Sequence, residues 1–150
     1  MKIEDEIKST VPLSLAKKVL LNLSFAKSVI GDKFLEVLKP YDLSSEQYNV
    51  LRILRGQKGK TANMACIQER MIARTSNTTR LVDKLLAKEL VNRKVCPENR
   101  RKMEITITEK GLKILEELDP VVIEHEDYFA SKLTQEELEN LNYLLEKYRN

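Results

Sequence analysis

Basic and small polar side chains follow one another closely between residues 74 and 101 of this chain. The basic residues are Arg74, Arg80, Lys84, Arg100 and Arg101, and the small polar residues are Ser76, Asn77 and Asn99. Guanidinium and ammonium groups bind anionic oxygens, and short polar side chains donate and accept hydrogen bonds beside them. These residue types could therefore recognise an anionic partner without altering it covalently.

The charge is distributed unevenly along the chain. Residues 52–110 contain 15 Lys or Arg and six Asp or Glu, a net charge of +9, whereas the other residues contain 11 and 17, a net charge of −6. A basic middle between acidic flanks indicates that the middle binds a polyanion and that the flanks have another role. The charge pattern alone is equally compatible with a solvated surface.

Residues of the types that carry out catalysis are few. The 150-residue chain has one His and two Cys, and it contains no P-loop, no glycine-rich dinucleotide-binding turn and no metal-binding triad. We therefore predict that the protein is not an enzyme and that it uses no metal or other cofactor.

Cys66 is expected to be a small buried hydrophobic residue, and His125 a surface or interface residue. Cys96 lies beside a basic turn, where an oxidation-sensitive thiol is a weaker alternative.

An amphipathic helix is predicted to position the first group of these residues. It is expected to start near Thr75 or Ser76 and to end at about Lys88. Apolar and polar residues separate onto opposite faces at helical spacing. The apolar face has Leu81, Val82, Leu85 and Leu86, and the polar face has Ser76, Asn77, Arg80, Asp83, Lys84 and Ala87. Taken alone, this helix is also compatible with an ordinary solvated face.

A β-hairpin with basic residues at its tip is predicted to follow that helix. Apolar and polar residues alternate within 90–95 and again within 102–108. Pro97 and Asn99 suit the turn between them, which also contains Arg100 and Arg101. A helix that can enter a groove, followed by a hairpin of this kind, is typical of a winged helix-turn-helix that binds duplex DNA.

Capping residues indicate where further helices begin. Ser44 or Ser45 is expected to cap a helix, and Thr61 a short helix that precedes the amphipathic one. Thr134 and Glu137 have the spacing of a capping box at the start of the last helix.

Longer helices are predicted at both ends of the chain. They cover residues 13–38, ended by Pro40; residues 112–131, kinked or briefly broken at Pro120; and residues 135–148. Their apolar stripes need a partner, either one another or a second copy of the chain. The sequence has no apolar run of the ~18–20 residues that would span a bilayer. Because its acidic start also lacks a signal peptide, we expect a cytoplasmic protein without a membrane partner.

Four segments resemble, in their order and spacing, the MarR family of bacterial transcription regulators. They are Leu43–Tyr48, Thr79–Leu85, Leu90–Arg93 and Ile107–Gly111. The resemblance covers nearly the whole chain and implies a fold class that is mainly α with a small β-hairpin wing. In that fold a winged helix-turn-helix is flanked by N- and C-terminal dimerisation helices.

The resemblance also implies a function. Members of this family are homodimers that bind pseudo-palindromic operators in double-stranded DNA. They commonly repress nearby genes and are released by a small lipophilic or phenolic effector, and some sense oxidants through cysteine. Within a single domain, residues 1–150, the DNA-binding region would span about 42–110 and the dimerisation helices 10–40 and 112–148. The alternative is a winged helix that contacts only proteins, without sequence-specific DNA binding.

Each candidate residue of the amphipathic helix then has an expected role. Ser76, Asn77 and Arg80 are expected to contact bases or the adjacent backbone in the major groove. Arg74 and Lys84 are expected to contact phosphates.

The wing has its own expected contacts. Arg101, together with Arg100, is expected to enter a narrow minor groove. Asn99 stands where the family usually has an Asp that pairs with this arginine. Glu89 stands where family members often have Gly, and a left-handed turn there would cost roughly 1–2 kcal/mol relative to Gly.

Overall fold

The computed structural model describes residues 1–74 and 76–150, which form a mainly helical chain with a small antiparallel hairpin. This confirms the fold class expected from the sequence. The first long helix ends at Leu38, before Pro40 as predicted, and a 3-10 turn at Lys39–Tyr41 follows it. The other elements are α1 Ile3–Glu6, α2 Leu15–Leu38, α3 Ser45–Gly56, α4 Met64–Arg70, α5 Thr78–Ala87, β1 Val91–Val95, β2 Met103–Ile107, α6 Glu109–Ala130 and α7 Gln135–Arg149.

Two helices begin with reciprocal capping. The sequence predicts a capping box only for α7; for α3 it predicts a cap at Ser44 or Ser45, and Ser44 is the cap. At the start of α3, the Gln47 N–H donates to Ser44 Oγ and the Ser44 N–H donates to Gln47 Oε1, each at 3.1 Å. At the start of α7, the Glu137 N–H donates to Thr134 Oγ1 at 3.2 Å and the Thr134 N–H to Glu137 Oε2 at 2.8 Å. Both pairs satisfy backbone donors that a helix end leaves without an intrahelical partner.

The predicted cap of α4 at Thr61 is wrong. Ala62 exchanges two backbone hydrogen bonds with Ile105 of β2, at 3.0 and 2.7 Å, and this pairing requires an extended backbone. The helix begins only after Asn63, whose side chain accepts a hydrogen bond from the Cys66 N–H at 2.9 Å. Cys66 itself is half-buried and packs against the core.

The start of α5 also differs from the prediction. Thr75, one of the two proposed starts, lies outside the described residues, and the other, Ser76, precedes the helix. Asn77 is the capping residue, because its side-chain oxygen accepts a hydrogen bond from the Arg80 N–H at 3.1 Å. The helix therefore begins at Thr78, and Ser76 and Asn77 belong to the segment that leads into it.

The core lies where α3, α5, the hairpin and the inner ends of α2 and α6 meet. Each of these elements contributes fully buried side chains, for example Leu38, Leu51, Leu85, Ile105 and Leu115. The inner ends of the long helices are therefore packed against the same core as the winged helix-turn-helix.

Helix α6 begins earlier than predicted and continues through Pro120. Thr108 caps it by accepting a hydrogen bond from the Gly111 N–H at 3.0 Å. Pro120 is exposed, whereas Leu115 and Leu118 on the opposite side are fully buried. Leu118 before the proline and Val122 after it both pack against the core. Because this packing holds the helix on both sides, of the two predicted alternatives, a kink or a short break, the break does not occur.

The long helices leave much apolar surface in contact with solvent. Helix α2 packs on α6, where the His125 ring lies 5.2 Å from the rings of both Phe34 and Phe129. Away from this contact, Leu15 is 77% exposed. Every residue of α7 is at least partly exposed, including Leu144 at 49%.

Within the described residues, no helix is both long enough and apolar enough to cross a membrane.

Candidate nucleic-acid interface

Helix α5 presents a basic face to solvent, as its sequence predicts. Val82 and Leu85 are fully buried against the core, and burial of this face turns Arg80 and Lys84 outward, where both are exposed. The exposed cations lie one helical turn apart. A surface of this kind can approach phosphates and base edges together.

An ion pair joins α5 to the hairpin. Arg93 Nη1 in β1 lies 2.6 Å from Asp83 Oδ1 on the outward side of α5. The two elements are therefore held side by side at their solvent-facing surfaces. The sequence showed the charges of both residues, but their pairing depends on how the strand folds back along the helix.

The hairpin carries its basic tip at the end of a regular antiparallel ladder. The ladder runs from the pair Val91 and Ile107 to the pair Val95 and Met103. The Cys96 N–H then donates to the Lys102 carbonyl at 2.9 Å and closes the loop. The residues beyond this closure include Arg100 and Arg101, which are both exposed.

Asn99 organises the tip through the backbone. Its side-chain oxygen accepts a hydrogen bond from the Arg101 N–H at 3.1 Å, and its carbonyl accepts one from the Lys102 N–H at 2.9 Å. The hydrogen bond that Arg101 donates to Asn99 therefore comes from its backbone N–H, not from its guanidinium. An Asx turn of this kind orders the loop without placing a negative charge beside the arginine.

The segment before α5 brings further candidate residues to the same region. Arg74 is exposed, and Ser76 is half-buried with its N–H donating to the Ala73 carbonyl at 3.0 Å. The side-chain oxygen of Asn77 is engaged by the cap of α5. Its side-chain NH₂ is the part of this residue that could donate to a base or a phosphate.

Sequence reasoning missed some of the cations on the hairpin. Arg93, Lys94 and Lys102 are exposed alongside the tip. Arg93 and Lys94 lie within the strand predicted over residues 90–95. The basic character of that strand is the sequence signal that could have marked them as DNA-binding candidates. Consecutive strand residues point to opposite faces, and these two residues are both exposed because β1 leaves the core after Val91.

The left-handed turn considered at Glu89 is present. Glu89 has φ 60°, directly after α5 and before β1. Its carbonyl accepts a hydrogen bond from Thr108 Oγ1 at 2.8 Å, which ties the turn to the start of α6. A residue with a Cβ is strained in this conformation, which costs roughly 1–2 kcal/mol relative to Gly.

A second ion pair fixes α3 against α6. Arg55 Nη1 and Nη2 donate to Asp119 Oδ2 and Oδ1 at 2.8 and 2.9 Å, a bidentate arrangement. These hydrogen bonds from the guanidinium lower the pKa of the Asp119 carboxyl, and those accepted by Asp119 raise the pKa of Arg55. Burial raises the pKa of the Tyr48 hydroxyl, which lies two turns before Arg55 on the same face of α3. The pair links the unit that carries α5 to the long helices.

Comparison with known proteins agrees with this geometry. The MarR family model matches residues 43–103. The chain is 32% identical to a MarR transcription factor from Planctomyces limnophilus, whose crystal structure superposes with a TM-score of 0.70 over 91% of this chain and 98% of that chain.

Two further proteins are similar over most of their length. The HTH-type transcriptional regulator MhqR of Bacillus subtilis is 29% identical over 130 residues, which are 87% of this chain and 88% of that protein. The crystal structure of the S. aureus MepR–DNA complex superposes with a TM-score of 0.78 at 24% identity, over 91% of this chain and 97% of that chain. The chain belongs to the MarR family and is a winged-helix transcription regulator, not an enzyme.

Proposed function

We propose that this regulator binds a pseudo-palindromic operator in double-stranded DNA as a homodimer and represses the adjacent genes. One observation carries the DNA-binding part: the Asp83–Arg93 ion pair holds the basic outward face of α5 beside the basic hairpin. A helix in the major groove and a wing in the adjacent minor groove need this side-by-side placement. The fold shared with the MepR–DNA complex supports the same conclusion.

The proposed contacts follow from exposure and chemistry. Arg80 reads base edges together with Ser76 and the side-chain NH₂ of Asn77. Arg74 and Lys84 contact phosphates, and they act on all sequences alike.

The wing makes the proposed minor-groove contact. Arg101 enters an A·T-rich minor groove, with Arg100 beside it and Asn99 holding the turn. A narrow minor groove concentrates negative potential, which favours an arginine there.

The proposed dimer uses the long helices. Residues 42–110 form the DNA-binding region, and residues 10–40 and 112–148 form the dimerisation helices. The exposed apolar side chains of α7 support this division, because a second copy would cover them. Two-fold symmetry would then place two α5 helices on half-sites ~34–36 Å apart, one turn of DNA.

A small-molecule effector is proposed to bind near the junction of the long helices. Helices α2 and α6 enclose an open groove of about 500 Å³ lined by Val37, Tyr41, Val121, His125 and Tyr128 among others. This volume lies within the usual range for small-ligand sites, and its aromatic walls suit a lipophilic or phenolic molecule. A regulator of this kind acts in the cytoplasm, where the chromosome of a bacterium lies.

The proposed function is tested by selecting DNA with the purified protein. Sheared genomic DNA of the source organism is incubated with it at physiological salt, and the retained fragments are sequenced. We expect enrichment of a two-fold-symmetric site with half-sites one turn apart, and loss of that enrichment in an Arg80→Ala/Arg101→Ala variant. Uniform or absent retention by the wild type in the absence of effector would contradict the proposal and favour a protein-binding winged helix.

The effector is tested on the selected site. A panel of phenols is titrated into the complex, and a Val121→Arg variant, which fills the groove with a charged side chain, is the matched control. We expect a released complex for the wild type and a retained complex for the variant. Release of both proteins alike would place the effector site elsewhere.

A further inference from the structure

The side-chain amide of Gln68 in α4 forms hydrogen bonds at both of its ends. Its nitrogen donates to the backbone carbonyl of Arg74, in the segment before α5. Its oxygen accepts from the hydroxyl of Thr78, the first residue of α5. Because a planar amide holds donor and acceptor at a fixed separation, both hydrogen bonds can form only when the segment and the helix keep one relative position.

Burial makes this bridge a constraint on the structure. Thr78 is 5% exposed, so its hydroxyl needs an acceptor inside the protein, and Gln68 supplies it. Met71, 2% exposed, anchors the other end of the same segment in the core. The backbone between these anchors carries Arg74 and Asn77, two of the residues assigned above to DNA contact.

The position of this segment matters differently for the two kinds of DNA contact. Hydrogen bonds to base edges need their donors placed to within about 0.5 Å and 10–20°. Attraction to phosphates is long-ranged and tolerates such displacements. A residue that fixes the start of α5 therefore affects sequence-specific binding far more than non-specific binding.

We propose that Gln68 is a positioning residue for base recognition, acting through Thr78 and Arg74 and not by touching DNA. The inference rests on the proposed function and extends it to a residue behind the interface. Without the bridge, α5 and the segment before it shift relative to α4. The base contacts then weaken while the cations that meet phosphate remain.

A binding assay with two DNA probes tests this proposal. One probe is the selected operator and the other is a duplex of the same length and scrambled sequence, both measured over a range of salt concentrations. For Gln68→Leu we expect operator affinity to fall by about tenfold or more, as for the loss of one good base contact. Affinity for the scrambled duplex, and its salt dependence, should stay within about twofold of the wild type.

A double-mutant cycle separates positioning from a general loss of structure. Thr78→Val should weaken operator binding in the wild type and have little further effect in Gln68→Leu, because the hydrogen bond is already absent. Gln57→Leu is the matched control: Gln57 is also half-buried in the basic region, but it directly follows α3 and its amide donates to the Ile53 carbonyl of that helix at 3.4 Å. Both probe affinities should be unchanged for this variant.

The outcomes are distinguishable from failure of the proposed function. A wild type that does not prefer the operator would overturn both the proposed function and this inference. A wild type that prefers it, with Gln68→Leu binding the operator equally well or losing both probes alike, would overturn the inference alone. Additive effects of Gln68→Leu and Thr78→Val would also overturn it.

Discussion

At the scale of single residues, the exposed face of α5 combines two cations with different capabilities. Arg80 has a planar guanidinium with several donors in fixed positions, which matches the two acceptors on the edge of a guanine. Lys84 has a compact charge on a flexible stem, which suits a phosphate. Both side chains are exposed, so replacing either leaves the core intact.

We predict that Arg80→Ala and Lys84→Ala have different effects on binding. Arg80→Ala should lower the free-energy preference for the correct base at one position of each half-site by ~1–3 kcal/mol. Lys84→Ala should weaken binding to all DNA sequences alike. It should also reduce the magnitude of the slope of log affinity against log salt concentration by about one for each phosphate contact that is lost. Titrations with the operator and single-base variants at several salt concentrations measure both effects. Unchanged base preference in Arg80→Ala would refute its assignment to base reading.

At the scale of elements, the junction between the hairpin and α6 depends on a glycine. Thr108 caps α6 through the Gly111 N–H, so the first turn of the helix lies directly beneath the turn at Leu90. A Cβ at Gly111 would lie 2.5 Å from the Leu90 carbonyl oxygen and 2.7 Å from Ile107 Cγ1. The close approach of backbone to backbone explains why the segment that ends the wing contains a glycine here.

We predict that Gly111→Ala destabilises the protein by about 1–3 kcal/mol, because the backbone oxygen it meets cannot rotate away. Gly31→Ala in α2 is the control, since a Cβ there meets nothing within 4 Å of the described chain. Because Gly31 is half-buried within a helix and has open space beside it, the same substitution should stabilise the protein by roughly 0.5–1 kcal/mol. Urea unfolding measures both changes, and equal behaviour of the two variants would contradict the steric explanation.

The ion pair between α3 and α6 predicts a dependence of stability on pH. Because Arg55 lowers the pKa of Asp119 in the folded state, the pair stabilises the fold fully above the ordinary aspartate pKa of about 3.9. That stabilisation is lost as the pH falls through the lowered value. The Asp119 side chain is 43% exposed, so solvent screening limits the effect to roughly 0.5–1 kcal/mol.

The test compares the wild type with Asp119→Asn in urea unfolding from pH 7 to pH 2. The wild type should be more stable at pH 7, and the difference should shrink as the pH falls below about 4. Asp127→Asn, at an exposed position on the same helix, is the control and should show a smaller difference at pH 7. A difference for Asp119→Asn that stays constant down to pH 2 would exclude the ion pair as its cause.

At the scale of the whole molecule, the distribution of exposed apolar side chains separates two surfaces. The face of α5 and the hairpin tip are dominated by cations, whereas α2 and α7 expose Leu, Ile, Val and Tyr. The many exposed apolar side chains on these two helices indicate a protein partner. A two-fold-symmetric dimer would then bind an operator whose two half-sites are related by the same two-fold symmetry.

We predict that Leu144→Lys in α7 converts the proposed dimer to a monomer and lowers operator affinity by at least about tenfold, because one half-site alone supplies fewer contacts. Glu146→Lys, which introduces the same residue type at an exposed polar position of the same helix, should leave the dimer intact. Sedimentation measures the mass, and the operator titration measures affinity. A wild-type monomer, or a dimeric Leu144→Lys variant, would place the interface elsewhere.

Much of the candidate site follows from the sequence because its signals are local. The two capping boxes, the two faces of α5 and the alternation of the hairpin strands each depend on residues within a few positions of one another. Such patterns persist whatever surrounds them, so Arg80, Lys84, Arg100 and Arg101 reach the surface as expected.

What only the tertiary structure decided depends on atoms far apart in the sequence. Ala62 pairs with Ile105, which delays the start of α4, and α6 continues through Pro120 while Leu115 and Leu118 pack into the core. The amide oxygen of Gln68 accepts a hydrogen bond from Thr78 at the start of another helix, and Arg55 pairs with Asp119, 64 residues further along the chain. A side chain's partner is set by which groups packing brings within about 3 Å, and local composition does not contain that information.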